Sequence, residues 1–376
     1  MSQPSLTLGL VGPVPPPNGG MAMQTRQLAR LLTAEGIRVE QVATNGLYRP
    51  AIAGRIPVVR ALFRLVPYLF AVWRLSGRVQ VIHLMANSGW SWQLHAAPVL
   101  WLARLRGTPV IVNYRGGEAL DYFRRSFSRV RPSLRKAAAI VVPSGYLEAV
   151  FQRFGERARV IPNIVDREVF SPAPKTDRAE EPAEEEGSDF TLVITRNLEP
   201  IYGIDTAIRA LALVARRDAN VRLRIAGSGP QAESLRALAR ELGIADAVSF
   251  EGRLDRPEIA ALYAGADAMI NPSTVDNMPN SVIEALACGV PVVSTEVGGV
   301  PFIVSHEESA LLVPPGDERA LADAILRLKG APDLRETLKA NGLARAEQYA
   351  WPRVRQQWLD LYRQLCVAGD DRSRVA

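Results

Sequence analysis

The sequence is poor in the two residue types that most often build disulfide frameworks and zinc sites. Its 376 residues include 2 cysteines, Cys288 and Cys366, and 3 scattered histidines, His83, His95 and His306. Two cysteines do not make a disulfide framework, and histidines without ligand spacing do not form a zinc site. The polar N-terminus also lacks the pattern of a secretory signal. The sequence therefore predicts a protein of the reducing cytoplasm that builds no metal site.

Acidic residues are missing from a long part of the first half, since none occurs between Glu40 and Glu118. Residues 1–170 hold 22 Lys and Arg against 8 Asp and Glu, a balance of +14, and because the whole chain carries +6 the remainder carries −8. A basic half predicts an acidic partner of the class of phosphate, anionic lipid or nucleic acid. We disfavour nucleic acid because the arginines lie among long apolar runs without an RNA-binding signature.

One basic stretch, residues 55–78, reads RIPVVRALFRLVPYLFAVWRLSGR. Arginine interrupts it too often for a membrane-spanning helix, and we expect Pro67 to kink it. Aromatic residues beside a wholly basic polar set are typical of a helix that lies in the surface of an anionic bilayer. A pair of helices packed on a sheet, with arginines that extend to solvent, explains the same pattern. The two interpretations are compatible, and both stand.

Apolar strands and amphipathic helices alternate along most of the chain, which predicts parallel, doubly wound α/β sheets. Residues 171–189 break this pattern because they are rich in Pro and Glu and nearly free of apolar residues, as in a solvated linker. We therefore expect a first domain at 1–170, the linker at 171–189, a second domain at 190–350 and a final helix at 351–376.

The first strand is followed by a loop of Pro and Gly that ends in Gly19-Gly20, directly before a predicted helix. Free backbone N–H groups and the positive end of the helix dipole make such a start suitable for a phosphate. The loop does not have the GxGxxG spacing, and a simple tight turn explains it equally well.

The most informative stretch, residues 271–302, reads NPSTVDNMPNSVIEALACGVPVVSTEVGGVPF. It predicts a loop after a strand, a helix that ends at Gly289, a buried strand and a Gly-Gly turn. Ser281-x-x-Glu284 has the spacing of a capping box with Ser281 as the N-cap. Loops at the carboxyl ends of parallel strands are where open α/β sheets bind ligands.

This stretch resembles the donor-binding motif of the family 4 retaining glycosyltransferases, which have the GT-B fold of two Rossmann-like domains facing across a cleft. Asp276 and Glu284 are separated by seven residues and are followed by AxxxGxPVVS and Gly-Gly. The family usually has Glu where Asp276 stands. The resemblance implies that Glu284 holds the ribose hydroxyls of a nucleotide sugar and that Asp276 contacts the sugar.

The resemblance covers essentially the whole chain. Arg196 matches a family arginine that grips the donor diphosphate, whereas Tyr202 stands where a second cation, a lysine, is common. A tyrosine hydroxyl donates one hydrogen bond but brings no charge, so another cation must compensate or turnover is slow. The other donor-binding residues that the motifs and the resemblance predict are Gly19, Gly20, Gly227, Gly229, Arg253, Leu254, Asn280 and Ser281.

The acceptor or sugar side is predicted at Arg115, Gly116 and Gly117, where the family often has a histidine at the end of a strand. An arginine does not act as a base in proteins, but it binds a phosphate or a carboxylate. This departure leaves the chemistry of the acceptor side open.

The function implied is transfer of a sugar, with retention and without metal or cofactor, from a nucleotide-diphosphate sugar to a hydroxyl of a lipid-linked or polysaccharide acceptor. Arg196, Asp276 and Glu284 form the predicted catalytic set. The expected process is synthesis of cell-envelope or exopolysaccharide glycans, in the cytoplasm or peripherally on the inner face of its membrane. One alternative is a nucleotide-sugar epimerase of the same fold, which the lack of histidine in the cleft loops disfavours. Another is a non-catalytic nucleotide-sugar-binding partner, which Arg115 and Tyr202 motivate.

Overall fold

The computed structural model describes residues 6–16, 19–46, 59–172 and 189–375. The chain divides into two compact units, Met1–Ile164 with Val354–Ala376, and Val165–Arg353. This division falls a few residues before the boundary that the sequence suggests at residue 170. Residues 173–188 of the expected linker and residues 55–58 of the basic stretch lie outside the described residues.

The first unit is built on a parallel six-stranded sheet. Its elements along the chain are β1 (Thr7–Gly12), α1 (Gly20–Ala34), β2 (Arg38–Ala43), α2 (Val59–Ser76), β3 (Val81–Ala86), a π-helical turn (Trp92–Ala96), α3 (Ala97–Leu105), β4 (Val110–Tyr114), α4 (Ala119–Leu134), β5 (Ala139–Val142), α5 (Gly145–Arg153) and β6 (Arg159–Val160). The strand order is β2-β1-β3-β4-β5-β6.

The second unit is also built on a parallel six-stranded sheet. Its elements are β7 (Phe190–Thr195), α6 (Ile204–Ala215), β8 (Val221–Ala226), α7 (Ala232–Glu241), β9 (Val248–Gly252), α8 (Arg256–Ala264), β10 (Ala268–Asn271), α9 (Asn280–Ala287), β11 (Val292–Thr295), β12 (Leu311–Val313), α10 (Glu318–Gly330) and α11 (Pro332–Ala346). The strand order is β12-β11-β10-β7-β8-β9. The final helix, α12 (Trp351–Val375), belongs to the first unit from Val354 onward.

Central strands of the first sheet are covered on both faces, and β3 and β4 are buried at every residue, as expected for nearly continuous apolar runs in a parallel sheet. In β3, Ile82 and Leu84 lie in a core with α2 and α3, whereas His83 between them contacts Trp358 of α12 with ring centroids 4.6 Å apart. Alternate residues of a strand point to opposite faces, so α12 covers the side of the sheet away from α2 and α3.

Helix α2 is continuous through Pro67. None of the helices in the described part of the chain combines the length and the apolar content that a bilayer crossing requires.

Candidate active site

The residues predicted to bind a donor lie on loops that leave the carboxyl ends of the second sheet. Arg196 follows β7, and the loop with Asp276 follows β10. β7 and β10 are neighbours in the sheet although the chain forms β8 and β9 between them. Such a switch in strand order opens a crevice between the two loops, and open α/β sheets bind ligands there.

Arg196 and Asp276 form an ion pair at this switch point. Arg196 Nη2 donates hydrogen bonds to Asp276 Oδ2 and, at 3.4 Å, to Ser273 Oγ. The two side chains are only 12% and 10% exposed. Burial raises the pKa of Asp276, and the Arg196 charge and the Ser273 hydroxyl oppose that rise. Arg196 Nε is buried without a hydrogen-bond partner among the described residues, so the guanidinium retains an unused donor.

Tyr202, at the position where the family commonly has a lysine, packs on the Arg196 guanidinium. The guanidinium carbon lies 4.1 Å from the centroid of the Tyr202 ring, which is a cation–π contact. Burial raises the pKa of Tyr202, so its hydroxyl is neutral at physiological pH. The tyrosine therefore orients the arginine and adds no second charge.

A network of buried polar side chains lies beneath this ion pair. Ser273 Oγ donates to Asn271 Oδ1 at 3.0 Å, and Asn271 Nδ2 donates to Ser294 Oγ at 2.9 Å. All three residues are fully buried. A buried network whose members are hydrogen-bonded is rigid, so Ser273 offers Arg196 a fixed partner. Sequence reasoning missed this network, for which the only signal is polar residues at the ends of apolar strands.

Helix α9 begins two residues earlier than a Ser281 N-cap would place it, and the predicted capping box is wrong. Its N-cap is Pro279, no side chain caps it, and Asn280 is its first residue. Pro279 holds an extended conformation with φ −63° and ψ 114°, which starts the helix at the next residue. Ser281 and Glu284 therefore lie inside the helix, where Ser281 does not have the extended backbone of a capping residue.

The hydroxyl of Ser281 is free as a result. Ser281 is buried, and its Oγ has no hydrogen-bond partner in the part of the chain that the structure describes. Tyr263, in contact with Thr195 at the end of β7, donates to Ser281 O at 3.0 Å and holds this first turn in place. An unpaired buried hydroxyl is costly, and here it lies at the start of a helix, where the backbone N–H groups point towards a ligand. This arrangement is suited to an anion.

Glu284 lies one turn further along α9. Burial raises the pKa of Glu284 to about 7, and the charges of Arg256 and Arg196 oppose that rise. Arg256 was not predicted from the sequence. It forms an ion pair with Asp166 at 3.2 Å, which keeps its charge close to Glu284. Glu284 is thus a partly buried carboxyl group under the electrostatic influence of two arginines.

The predicted glycines of the second unit allow its loops to approach closely. A Cβ atom at Gly227 would overlap Arg196 O, and one at Gly229 would overlap Leu198 O. Gly227 N donates to Gly252 O at 2.7 Å, so Gly227 holds the loop after β8 against the end of β9. The turn after Gly252 carries the last two predicted donor residues, the exposed Arg253 and the half-buried Leu254.

In the first unit, Gly19 is the N-cap of α1 and Gly20 is its first residue, as the sequence suggests. This loop follows β1, which neighbours β3 at the switch in strand order of the first sheet. Gly116 lies against the loop after β3, where a Cβ atom would overlap Ser88 Oγ, and Gly117 is exposed. The predicted acceptor-side residues therefore lie at the carboxyl edge of their own sheet.

Arg115 is held by two buried amides. Its Nε donates to Asn113 Oδ1 at 3.1 Å, and its Nη1 donates to Asn163 Oδ1. Burial lowers the pKa of Arg115 to about 10, which leaves the side chain charged at physiological pH.

The hydrogen bonds continue from Asn113 through His83 to Tyr362 on α12. Asn113 Nδ2 lies 2.9 Å from His83 Nε2, and His83 Nδ1 lies 2.8 Å from Tyr362 Oη. Because Asn113 Oδ1 already accepts from Arg115, its amide nitrogen donates to His83, and the histidine proton is on Nδ1. Burial and the Arg115 charge lower the pKa of His83 to about 3, so the ring is neutral. The only sequence features that point to this series of hydrogen bonds are a histidine and an asparagine inside apolar strands.

We expect Tyr362→Phe to lower the free energy of unfolding by about 1–3 kcal/mol, because it leaves the buried His83 N–H without an acceptor. Chemical denaturation followed by circular dichroism measures this. Tyr349→Phe is the matched control, because Tyr349 is also buried and no described residue hydrogen-bonds its hydroxyl. Equal losses in the two variants would contradict the assigned hydrogen-bond chain.

Two models of known protein families match the sequence. A family model described as Glycosyl transferases group 1 matches residues 175–345, and one described as Glycosyltransferase Family 4 matches residues 18–169. Because the two models together account for most of the sequence, the chain belongs to the family 4 glycosyltransferases.

Several similar proteins are D-inositol 3-phosphate glycosyltransferases. The one from Saccharomonospora viridis is 35% identical over 186 residues, which are 47% of this chain and 43% of that protein. The one from Frankia alni is 33% identical over 241 residues, which are 61% of this chain and 59% of that protein. The chain thus matches about half the length of these curated relatives.

Solved structures agree on the fold. Sucrose-phosphate synthase from Thermosynechococcus elongatus superposes with a TM-score of 0.76 at 25% identity, covering 96% of this chain and 100% of that chain. Anabaena HepE, solved in complex with UDP, superposes with a TM-score of 0.75 at 20% identity, with the same coverage of 96% and 100%. The predicted GT-B fold is confirmed.

Proposed function

We propose that the protein is a retaining glycosyltransferase that moves a sugar from a nucleotide-diphosphate sugar to a hydroxyl group. The observation that carries this proposal is the cluster at the β7 and β10 switch point. There Arg196, Asp276 and the first turns of α9 lie together and leave two buried polar atoms, Arg196 Nε and Ser281 Oγ, without partners among the described residues. Buried polar atoms without partners are rare in proteins, so a polar ligand is the natural occupant.

Charge explains what this cluster does in the reaction. Breaking the bond between sugar and diphosphate leaves negative charge on the leaving group. The Arg196 guanidinium, the N–H groups at the start of α9 and the Ser281 hydroxyl are fixed before the reaction, and such donors stabilise developing charge most effectively. We propose that these groups supply the positive potential at the diphosphate and that no metal is needed.

The two carboxylates position the donor in this proposal. Glu284 accepts hydrogen bonds from the ribose hydroxyls, and Asp276 holds a hydroxyl of the transferred sugar, which contributes orientation. No residue is assigned as a nucleophile. The spacing rule for the carboxylates of glycosidases does not apply to this pair.

We propose a lipid-linked or polysaccharide acceptor and transfer at the inner face of the cytoplasmic membrane, in synthesis of cell-envelope or exopolysaccharide glycans. The excess of +14 charges in residues 1–170 supports an anionic membrane surface as a partner. Arg115, half-buried and charged at the edge of the first sheet, supports an acceptor with a phosphate or carboxylate.

A thermal-shift screen against nucleotide sugars with different bases tests donor binding. We expect one of them, at about 100 times its Kd, to raise the melting temperature of the 376-residue chain by about 3–4 °C. Ser281→Ala should keep the stability of the free protein, because its Oγ has no hydrogen bond to lose, and should reduce the shift. If no nucleotide sugar shifts the melting temperature, the proposal fails.

A second measurement separates the transferase from a non-catalytic partner, which the missing lysine at Tyr202 favours. We expect the donor that gives the shift to be hydrolysed slowly without an acceptor and to be consumed faster when an acceptor is added. Binding without hydrolysis or transfer would identify a non-catalytic protein, and conversion of the donor to its epimer would identify an epimerase.

A further inference from the structure

Large apolar side chains are exposed on two helical segments of the first unit. Four of them recur at spacings of three and four residues on α2, and four more lie on the segment from Trp90 to Leu105 that contains the π-helical turn and α3. Together they form a surface called the two-helix face here: Phe63, Val66, Phe70, Trp73, Trp90, Leu94, Trp101 and Leu105. In the rest of the described chain, only Phe302 and Val367 are large apolar side chains of comparable exposure.

The two segments lie side by side on the same side of the sheet. Tyr68 and Val72 of α2 and Val99 and Leu100 of α3 are buried in one apolar core. Tyr68 Oη donates to His95 O at 3.0 Å, which joins α2 to the π-helical turn. Since both segments bury one side in the same core, their opposite sides point outward together. The apolar stripes therefore make one continuous surface.

Several positively charged side chains lie on and beside this surface. Lys136 Nζ lies 3.6 Å from the centroid of the Trp101 ring, and the Arg106 guanidinium lies 4.8 Å from that of Trp73. Arg74 and Arg104 are exposed on the two helices, and neither segment contains an acidic residue. Arg78, just beyond α2, is paired with Glu40 at 2.9 Å.

We infer that the two-helix face docks on an anionic lipid bilayer, with its aromatic residues in the interface and its arginines at the lipid phosphates. The inference rests on the proposed transfer at a membrane and names the surface that carries it. Tryptophan, leucine and phenylalanine rimmed by arginine form the surface that interfacial helices present to anionic lipids. A second copy of the chain is a poor occupant, because its face would bring the same positive charges into contact.

Docking in this way explains how a lipid-linked acceptor is presented. Trp90 follows Ser88 closely, and Ser88 hydrogen-bonds Tyr114 at 2.7 Å and lies against Gly116. One end of the two-helix face therefore reaches the edge of the sheet that carries Arg115. A headgroup that extends from the docked bilayer meets this edge without leaving the membrane surface.

Flotation of the full chain with vesicles tests the inference. We expect binding to vesicles of phosphatidylcholine mixed with phosphatidylglycerol, little binding to phosphatidylcholine alone, and weaker binding at high salt, which screens exposed charges. The double variant Phe70→Ser with Leu105→Ser should lower the partition constant about tenfold or more, because two exposed apolar side chains no longer enter the interface. Arg74→Gln with Arg104→Gln should lower it by about tenfold or more through lost attraction to phosphates.

Matched controls come from the second unit. Phe302→Ser removes a side chain of 54% exposure, close to the 60% of Phe70, and Arg240→Gln removes an exposed arginine. Neither should change the partition constant. Equal melting temperatures would show that all four variants fold.

Two results would overturn the inference. One is no binding to the mixed vesicles while a nucleotide sugar still raises the melting temperature, which would leave the proposed donor chemistry standing. The other is vesicle binding that the face variants do not weaken more than the controls. A concentration-dependent dimer that Phe70→Ser with Leu105→Ser abolishes, seen by analytical ultracentrifugation without vesicle binding, would assign the face to a second copy instead.

Discussion

Replacing Arg196 with alanine is expected to lower kcat by about 10²–10³-fold. The Arg196 guanidinium combines a fixed orientation, set by Asp276 and by the Tyr202 ring 4.1 Å away, with an unused Nε donor. Because Tyr202 brings no charge where the family commonly has a lysine, we expect the proposed reaction to depend strongly on the Arg196 charge. Steady-state kinetics with the donor from the thermal-shift screen measures the effect.

Arg236→Ala is the matched control for this variant. Arg236 is also paired with a carboxylate, that of Glu233 at 2.8 Å, and also lies over an aromatic ring, that of Phe250 at 5.0 Å. It lies on α7, away from the switch point, so we expect its kcat to stay at the wild-type value. An unchanged kcat in Arg196→Ala would remove Arg196 from the proposed mechanism, and equal losses in both variants would indicate a general structural effect.

Replacing Glu284 with glutamine is expected to stabilise the free protein and to weaken donor binding. Its pKa is raised from 4.5 to about 7 in the folded protein. A carboxyl group whose pKa is raised by folding makes the unfolding free energy fall as the pH rises from the unfolded to the folded pKa. For Glu284 this loss is about 3 kcal/mol between pH 4.5 and 7. The neutral amide of Glu284→Gln avoids the loss, so the variant should melt higher than the wild type at pH 8.

Donor affinity should change in the opposite direction. The ionised Glu284 accepts hydrogen bonds from the ribose hydroxyls in the proposed complex, so the affinity of the wild type should rise with pH up to about 7. Hydrogen bonds to a charged group contribute about 1.5–3 kcal/mol, so we expect Glu284→Gln to raise the Kd about 10–100-fold and to lose the pH dependence.

Glu296→Gln, at an exposed glutamate after β11, is the control for both measurements. Thermal melts at pH 5 and pH 8 and calorimetric titration with the donor are sufficient. A Glu284→Gln protein that melts lower at pH 8, or that binds the donor as tightly as the wild type, would contradict the assignment.

The local sequence pattern predicted well those features that depend on neighbouring residues, such as strands and helix ends. The sequence pattern predicts strands at 190–195 and 221–226, and the structure has β7 and β8 there. Gly289, predicted to end α9, has the left-handed φ of 73° that favours glycine after a helix. The predicted start of the same helix was wrong, because the extended backbone of Pro279 outweighed the capping preference of Ser281.

Contacts between distant parts of the chain were beyond such reasoning. Sequence pattern marked His83 and Asn113 only as polar residues in apolar strands, and gave no hint that Tyr362 on α12 completes their chain. The two-helix face could not be predicted from the sequence either, because a strand separates α2 from the segment that begins at Trp90.

The sequence by itself determined the alternation of strands and helices, the family, the basic first half and the residue types at the candidate site. These follow from short-range periodicity, composition and motif spacing, which need no knowledge of the fold. Only the tertiary structure decided that β7 and β10 are neighbours, which brings Arg196 to Asp276, and that two helices expose their apolar sides together. Strand order and burial depend on how the whole chain packs, and no local stretch contains that information.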